Sequence, residues 1–130
     1  MSKQDVTLNF ENGFSGEIVA KNATVSIGGN DGQLRPYDMY LGALGSCFYS
    51  TFLDIIKKKR ISFDKVSIHL TGEKRSEIPA YLQWVNLDIT VFNPSSEKGL
   101  DKAAELAGNY CSVYQTTAKV ADMSWNIIIK

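Results

Sequence analysis

From Met39 to Phe52 the chain carries no charged side chain, and this run lies inside a longer segment, Arg35 to Arg60, reading RPYDMYLGALGSCFYSTFLDIIKKKR. The start of that segment has helix signals. Pro36 suits a first turn, where a missing N–H costs nothing, and Asp38 suits the positive end of the helix dipole. Lys57, Lys58, Lys59 and Arg60 follow at the other end, where cations complement the negative pole. Met39, Leu41, Leu44, Phe48, Phe52, Leu53, Ile55 and Ile56 spread around most of the circumference, which predicts a helix buried on nearly all sides. The uncharged run from Met39 to Phe52 is too short for a membrane span: Asp38 and Asp54 bracket it, and a span needs about 20 mainly apolar residues. A chain with this helix must find cover for it.

The 130 residues are expected to form one domain, residues 1–130, without disulfide or metal staples. Fourteen basic and fourteen acidic side chains cancel, so no long-range field draws in nucleic acid or an anionic membrane surface. The first residues, MSKQDVTLNF, lack the apolar core of a secretory signal, and the expected location is a reducing cytoplasm, where a purely structural disulfide is out of place.

Before the helix, Thr7 to Phe10, Phe14 to Ala20 and Ala23 to Ile27 read as strands of a three-stranded meander. Asn12-Gly13 predicts a type I′ turn, and Lys21-Asn22 a second tight turn. The glycine-bearing GGNDGQLRP reads as a loop and not a phosphate cradle, since no Gly-Lys-Ser/Thr follows it. After the helix, Asp64 to Glu73 and Leu82 to Phe92 alternate as strands and form a hairpin across SEIPA. Ser95 and Ser96 offer an N-cap for an amphipathic helix from Gly99 to Tyr110. Cys111 to Val120 reads as a short helical turn, and Met123, Trp125, Ile127 and Ile129 alternate in a last strand. The order predicts an α+β fold with antiparallel sheets around a long buried central helix. Six short strands and one amphipathic helix give too little cover for it, so a homodimer with two packed central helices is expected.

Two cysteines and one histidine are too few for a closed zinc site within one subunit, and no metal or cofactor is expected. His69 falls on the polar face of its strand, where a solvated imidazole is the ordinary state, although a Cys-His nucleophile pair stays open. Buried cysteines are commonly small hydrophobes. The sharper alternative is a redox pair, one thiolate attacking and the other resolving, which requires a lowered pKa. Cys111 precedes a short helix whose amides would favour its thiolate, whereas Cys47 lies deep within its helix and needs a cation: Arg35, Arg75 or Lys74.

At PYDMYLGALGSC, followed 64 residues later by the cysteine of YCSV, the chain resembles the family of osmotically inducible protein C (OsmC) and organic hydroperoxide resistance proteins. The resemblance covers nearly the whole chain, including the hairpin RSEIPAYLQWVNLDITV, and points to a less characterised OsmC-like branch. It implies an OsmC-like fold, an intertwined homodimer with active sites at the interface, and thiol peroxidase activity on organic hydroperoxides, with hydrogen peroxide as a further substrate. Cys47 would then be the peroxidatic residue and Cys111 the resolving one, with an external dithiol of the lipoyl type as reductant and no metal or flavin. Well-studied members carry a glutamate ten residues before the first cysteine, paired with an N-terminal arginine. Here that position is Tyr37, and no arginine precedes Arg35. Asp38 is the neighbouring acid, though at about 100° per residue it falls half a turn from the sulfur's face. Arg75, which the resemblance puts in a hairpin near the site, is the favoured cation. The expected catalytic set is therefore Cys47, Cys111, Arg75 and Asp38. The rival reading, from another class, is a dimeric small-molecule binding or redox-sensing protein without peroxidase turnover, for which an unlowered Cys47 pKa would speak.

Overall fold

The structure is a computed structural model that describes residues 3–130. Its elements are strands Thr7–Phe10 (β1), Ser15–Val19 (β2) and Thr24–Gly28 (β3), helix Pro36–Lys58 (α1), strands Lys65–Lys74 (β4) and Leu82–Phe92 (β5), helices Leu100–Tyr110 (α2) and Ser112–Ala118 (α3), and strand Asp122–Ile129 (β6). They fall into two compact units that meet within α1, one ending at Gly42 and one running from Ala43 to Lys130.

In the first unit β1, β2 and β3 form the expected antiparallel meander, with Leu8, Ile18 and Val25 aligned across one face. The first turn differs from expectation. Among the described residues of this turn only Gly13 has a positive φ (108°), whereas a type I′ turn requires two such residues, so β1 and β2 are joined by a longer loop. The second turn is tight, closed by a bond from the Ala20 N–H to the Ala23 carbonyl. Gln33 ties the loop before α1 to the sheet by donating to the Ser15 and Ser26 hydroxyls. Pro36 opens α1, and the Asp38 carboxylate accepts the Arg35 N–H at 2.9 Å, half of a capping box.

In the second unit β4, β5 and β6 form one sheet in that order. β4 and β5 are antiparallel, but β5 and β6 are parallel, so the sheet is mixed where antiparallel pairing was expected. The reason is the connection: α2 and α3 carry the chain back before β6 begins, and a helical crossover returns a strand in the same sense. Register puts Ile68, Ile89 and Ile127 in one row, and Leu70, Leu87 and Trp125 in the next. The other face carries His69, Asp88 and Asn126 in one row and Thr71, Asn86 and Ser124 in another. Asp88 accepts bonds from Asn86 and Asn126, and the Ser124 hydroxyl donates to Asn86.

α1 lies against the apolar side of this sheet. A Cβ at Gly45 would stand 2.7 Å from the Leu70 Cδ1, so glycine permits the close approach. Leu44, Phe48, Phe52 and Ile56 are fully buried at four-residue spacing, while the rest of the helix is half-buried or exposed apart from Gly45. The chain alone therefore buries a stripe and not the whole circumference. By length and composition α1 would also satisfy the criteria for a membrane span, but that stripe makes it a core helix. Its C-terminus is a Schellman motif: Arg60 adopts φ 59°, its N–H bonds the Lys57 carbonyl, and the Ile61 N–H reaches Ile56.

Ser95 and Ser96 do not cap α2. Gly99 holds the N-cap position at φ 92° without a side-chain bond, and the Ser95 hydroxyl instead accepts the Ser62 N–H. The buried face of α2 consists largely of small residues, Ala103, Ala104, Ala107 and Gly108, with Leu100 at its start.

Phe52→Ala is expected to lower the unfolding free energy by about 3–5 kcal/mol, because removing a fully buried ring that stacks on Phe48 leaves a cavity in the core. Urea denaturation checks this; a loss below about 1 kcal/mol would remove the stripe from the core.

Candidate functional site

Cys111 sits at the joint between two helices. Its N–H bonds the Ala107 carbonyl at 2.8 Å and so ends α2, while its sulfur accepts the Tyr114 N–H at 3.4 Å and so caps α3. Extended backbone angles at this residue (φ −72°, ψ 118°) turn the chain between the two. The turn is held by packing: the Tyr114 ring lies 3.3 Å from where a Cβ on Gly108 would be, and its centroid is 5.9 Å from that of Phe48. Phe48 follows Cys47 on α1, so the aromatic contact brings the first turn of α3 beside Cys47.

Both cysteines are free thiols, with Cys47 half-buried and Cys111 only 1 % exposed. The Ser112 hydroxyl is 3.9 Å from the Cys47 sulfur, and Cys111, the residue before Ser112, is close enough for the two thiols to shift each other's titration. Burial pushes the Cys47 thiol up. The Val113 N–H, the Cys111 thiol, and the hydroxyl and N–H of Ser112 outweigh that cost, and its pKa falls below the ordinary value. Cys111 behaves in the opposite sense. Burial, with the neighbouring Cys47 adding to it, pushes it up to about 11, and the amides of Tyr114 and Val113 offset only part of this.

The amides at the start of α3 were expected to activate Cys111, the residue next to them in sequence. They act on both sulfurs: the Tyr114 and Val113 amides lower Cys111 but burial outweighs them there, while the Val113 and Ser112 amides also reach Cys47, which meets the turn from across space and is lowered overall. Sequence reasoning missed Ser112 and Val113. The one available signal was their place directly after Cys111, and it becomes meaningful only when α1 packs against α3.

Arg75 is held within its own hairpin. Its Nε donates to the Pro79 carbonyl at 2.9 Å, its guanidinium lies 3.9 Å from the centre of the Tyr81 ring, and Glu77 is 3.6 Å away. It is not one of the groups that act on the Cys47 thiol in this chain. Asp38 serves as the cap of α1 described above. His69 is exposed on the polar face of its sheet, opposite Asp88. Among the described residues no group of three or more histidine, cysteine or acidic side chains could hold a metal ion.

A family model described as OsmC-like protein matches residues 28–126, which takes in both cysteines and the helices that carry them. The chain belongs to the OsmC-like protein family. No curated protein matches this OsmC-like protein, but solved structures do. A hypothetical protein from Aquifex aeolicus VF5 is 24% identical, with a TM-score of 0.85 over 100% of this chain and 99% of its own. An OsmC-like protein from Mycoplasma pneumoniae is 18% identical, with a TM-score of 0.86 over 98% and 97%. The organic hydroperoxide resistance protein OhrB of Bacillus subtilis is 14% identical, with a TM-score of 0.68 over 95% and 97%. At these identities the likeness is one of fold, and it agrees with the α+β architecture read from the sequence.

The two thiols of this OsmC-like protein should titrate far apart. Alkylation of Cys47, followed by peptide mass spectrometry, is expected to rise with pH with its midpoint below that of a free cysteine. Cys111 should stay unreactive until the pH approaches about 11. The linked stabilities have opposite signs. Because the folded pKa of Cys47 is depressed, its contribution is present above the unfolded pKa and lost as pH falls through the folded one. Cys111 contributes below its unfolded pKa and loses that contribution as pH rises through about 11.

Proposed function

We propose that this OsmC-like protein is a thiol-dependent peroxidase that reduces organic hydroperoxides. The observation carrying this reading is the pair of neighbouring thiols at one turn with opposite character, Cys47 more acidic than a free cysteine and Cys111 less so. A half-exposed thiolate is suited to attack, and a buried thiol beside it is suited to resolve. The fold shared with the hydroperoxide resistance protein OhrB of Bacillus subtilis supports the same chemistry. A lowered Cys47 pKa also speaks against the rival in which the cysteines stay inert within a binding protein.

In the proposed cycle the Cys47 thiolate attacks the terminal oxygen of ROOH. An S–O bond forms, the O–O bond breaks, and the alkoxide takes a proton and leaves as ROH, with Cys47 oxidised to a sulfenic acid. The Cys111 sulfur then attacks the sulfenic sulfur. The S–S bond forms, and the hydroxyl leaves with the thiol proton as water. An external dithiol of the lipoyl type reduces the disulfide by exchange and is itself oxidised. The protein acts as a cytoplasmic homodimer. Supporting this, Leu8, Phe10 and Val25 lie exposed on the apolar face of the β1–β3 sheet, and most of α1 outside its buried stripe is only partly covered.

Wild-type protein with a dithiol should turn over cumene hydroperoxide, and Cys47→Ser should abolish this. Cys111→Ser should still form a sulfenic acid that dimedone traps, but no intramolecular disulfide. If wild type reduces neither organic hydroperoxide nor hydrogen peroxide with lipoyl, thioredoxin or small dithiols, the peroxidase reading fails. Sedimentation should give a dimer at micromolar concentration; a stable monomer would contradict the homodimer.

A further inference from the structure

Ser112 holds the first position of α3, yet its hydroxyl plays no part in capping that helix. The sulfur of Cys111 has taken the capping role by accepting the Tyr114 N–H. A serine at the start of a helix ordinarily spends its hydroxyl on the backbone of its own first turn. Here the hydroxyl is released from that task and points across to Cys47, 3.9 Å from the sulfur. The Ser112 carbonyl is engaged separately, accepting from the Thr116 hydroxyl at 2.9 Å, so the backbone of this residue is fixed while its side chain faces the thiol. Ser112 is exposed and fills no core volume, so packing gives no reason for its orientation.

A thiolate can only accept hydrogen bonds. If Cys47 is ionised, the Ser112 hydroxyl must be the donor; if it is protonated, either group can donate, with no charge to gain. The contact is therefore worth more to the ionised form. Meanwhile Arg75, the favoured of the candidate cations, is engaged by Pro79, Tyr81 and Glu77, and no cation is among the groups that shift Cys47.

We infer that the Ser112 hydroxyl is the side-chain donor that aims Cys47 and, beside the amides of the same turn, helps to hold it as a thiolate, donating a hydrogen bond to the sulfur and thereby supporting an attacking cysteine with an uncharged group. The inference rests on the reading of Cys47 as the attacking thiol. It adds that the activation is a directional hydrogen bond and not the field of a cation. An uncharged donor has a distinct signature. Raising salt from about 0.01 M to about 1 M shortens the Debye length from about 30 Å to about 3 Å, which weakens support from an exposed cation but leaves a hydrogen bond almost untouched.

The experiment is site-resolved alkylation of Cys47 by iodoacetamide across pH and salt, in wild type, Ser112→Ala and Ser112→Thr. Removing one hydrogen bond to the thiolate should slow Cys47 alkylation at neutral pH about threefold to tenfold in Ser112→Ala and move its pH midpoint upward. Ser112→Thr, which keeps the hydroxyl, should restore most of the rate, and the wild-type midpoint should hold nearly constant with salt. Ser112→Gly removes the same hydroxyl by another route and serves if the alanine variant does not fold. An unchanged rate and midpoint in the variants lacking the hydroxyl would overturn the inference, as would a wild-type midpoint that climbs steeply with salt. No peroxide enters this measurement. Slowed alkylation in a protein without peroxide turnover would retain the role of Ser112 and reject the peroxidase, whereas full turnover with unchanged alkylation would do the reverse.

Discussion

The contact between Phe48 and Tyr114 is the interaction on which the candidate site depends. Phe48 belongs to the buried stripe of α1 and Tyr114 to the first turns of α3, and their rings meet at 5.9 Å. Neither ring can shift far: Phe48 also stacks on Phe52 at 6.2 Å, and Tyr114 lies over Gly108, where no side chain intervenes. Apolar burial thus places a polar event, because the residue before Phe48 is Cys47 and the three before Tyr114 are Cys111, Ser112 and Val113.

One short turn serves two sulfurs in different ways. Cys111 gives its lone pair to the Tyr114 N–H and is buried, so ionising it would put a charge where little water can reach it. Cys47 lies nearer to solvent and receives the donors that remain. The asymmetry arises from position alone, since both groups have the same chemistry. The proposed cycle follows this asymmetry, with the more acidic thiol meeting the oxidant and the less acidic one resolving it.

Much of the architecture was legible from residue order. The α1 boundaries follow from Pro36, Asp38 and the terminal lysines, and the β4–β5 hairpin from alternation of Val66, Ile68 and Leu70 against Leu87, Ile89 and Val91. The turn at Asn12-Gly13 and the cap of α2 were not, because both motifs compete with other partners. Ser95 is drawn to the Ser62 N–H across the sheet, and the neighbouring loop geometry leaves Gly99 as the residue able to take φ 92°. The parallel pairing of β6 was hidden for a similar reason: alternation identifies a strand and its buried face, but not its direction beside a neighbour.

By itself the sequence determined the element order, the apolar faces, the two cysteines as the residues able to carry redox chemistry, and the resemblance to the OsmC family. These are properties of local pattern and residue type, which neighbouring positions express without help from the rest of the chain. Only the tertiary structure decided that Cys47 and Cys111 are neighbours, that the start of α3 supports the distant thiol as well as the adjacent one, and that Arg75 is bound into its own hairpin. A thiol's acidity depends on burial and on donors within a few ångströms, and residues 64 or 65 positions apart come within that range only after the core has packed.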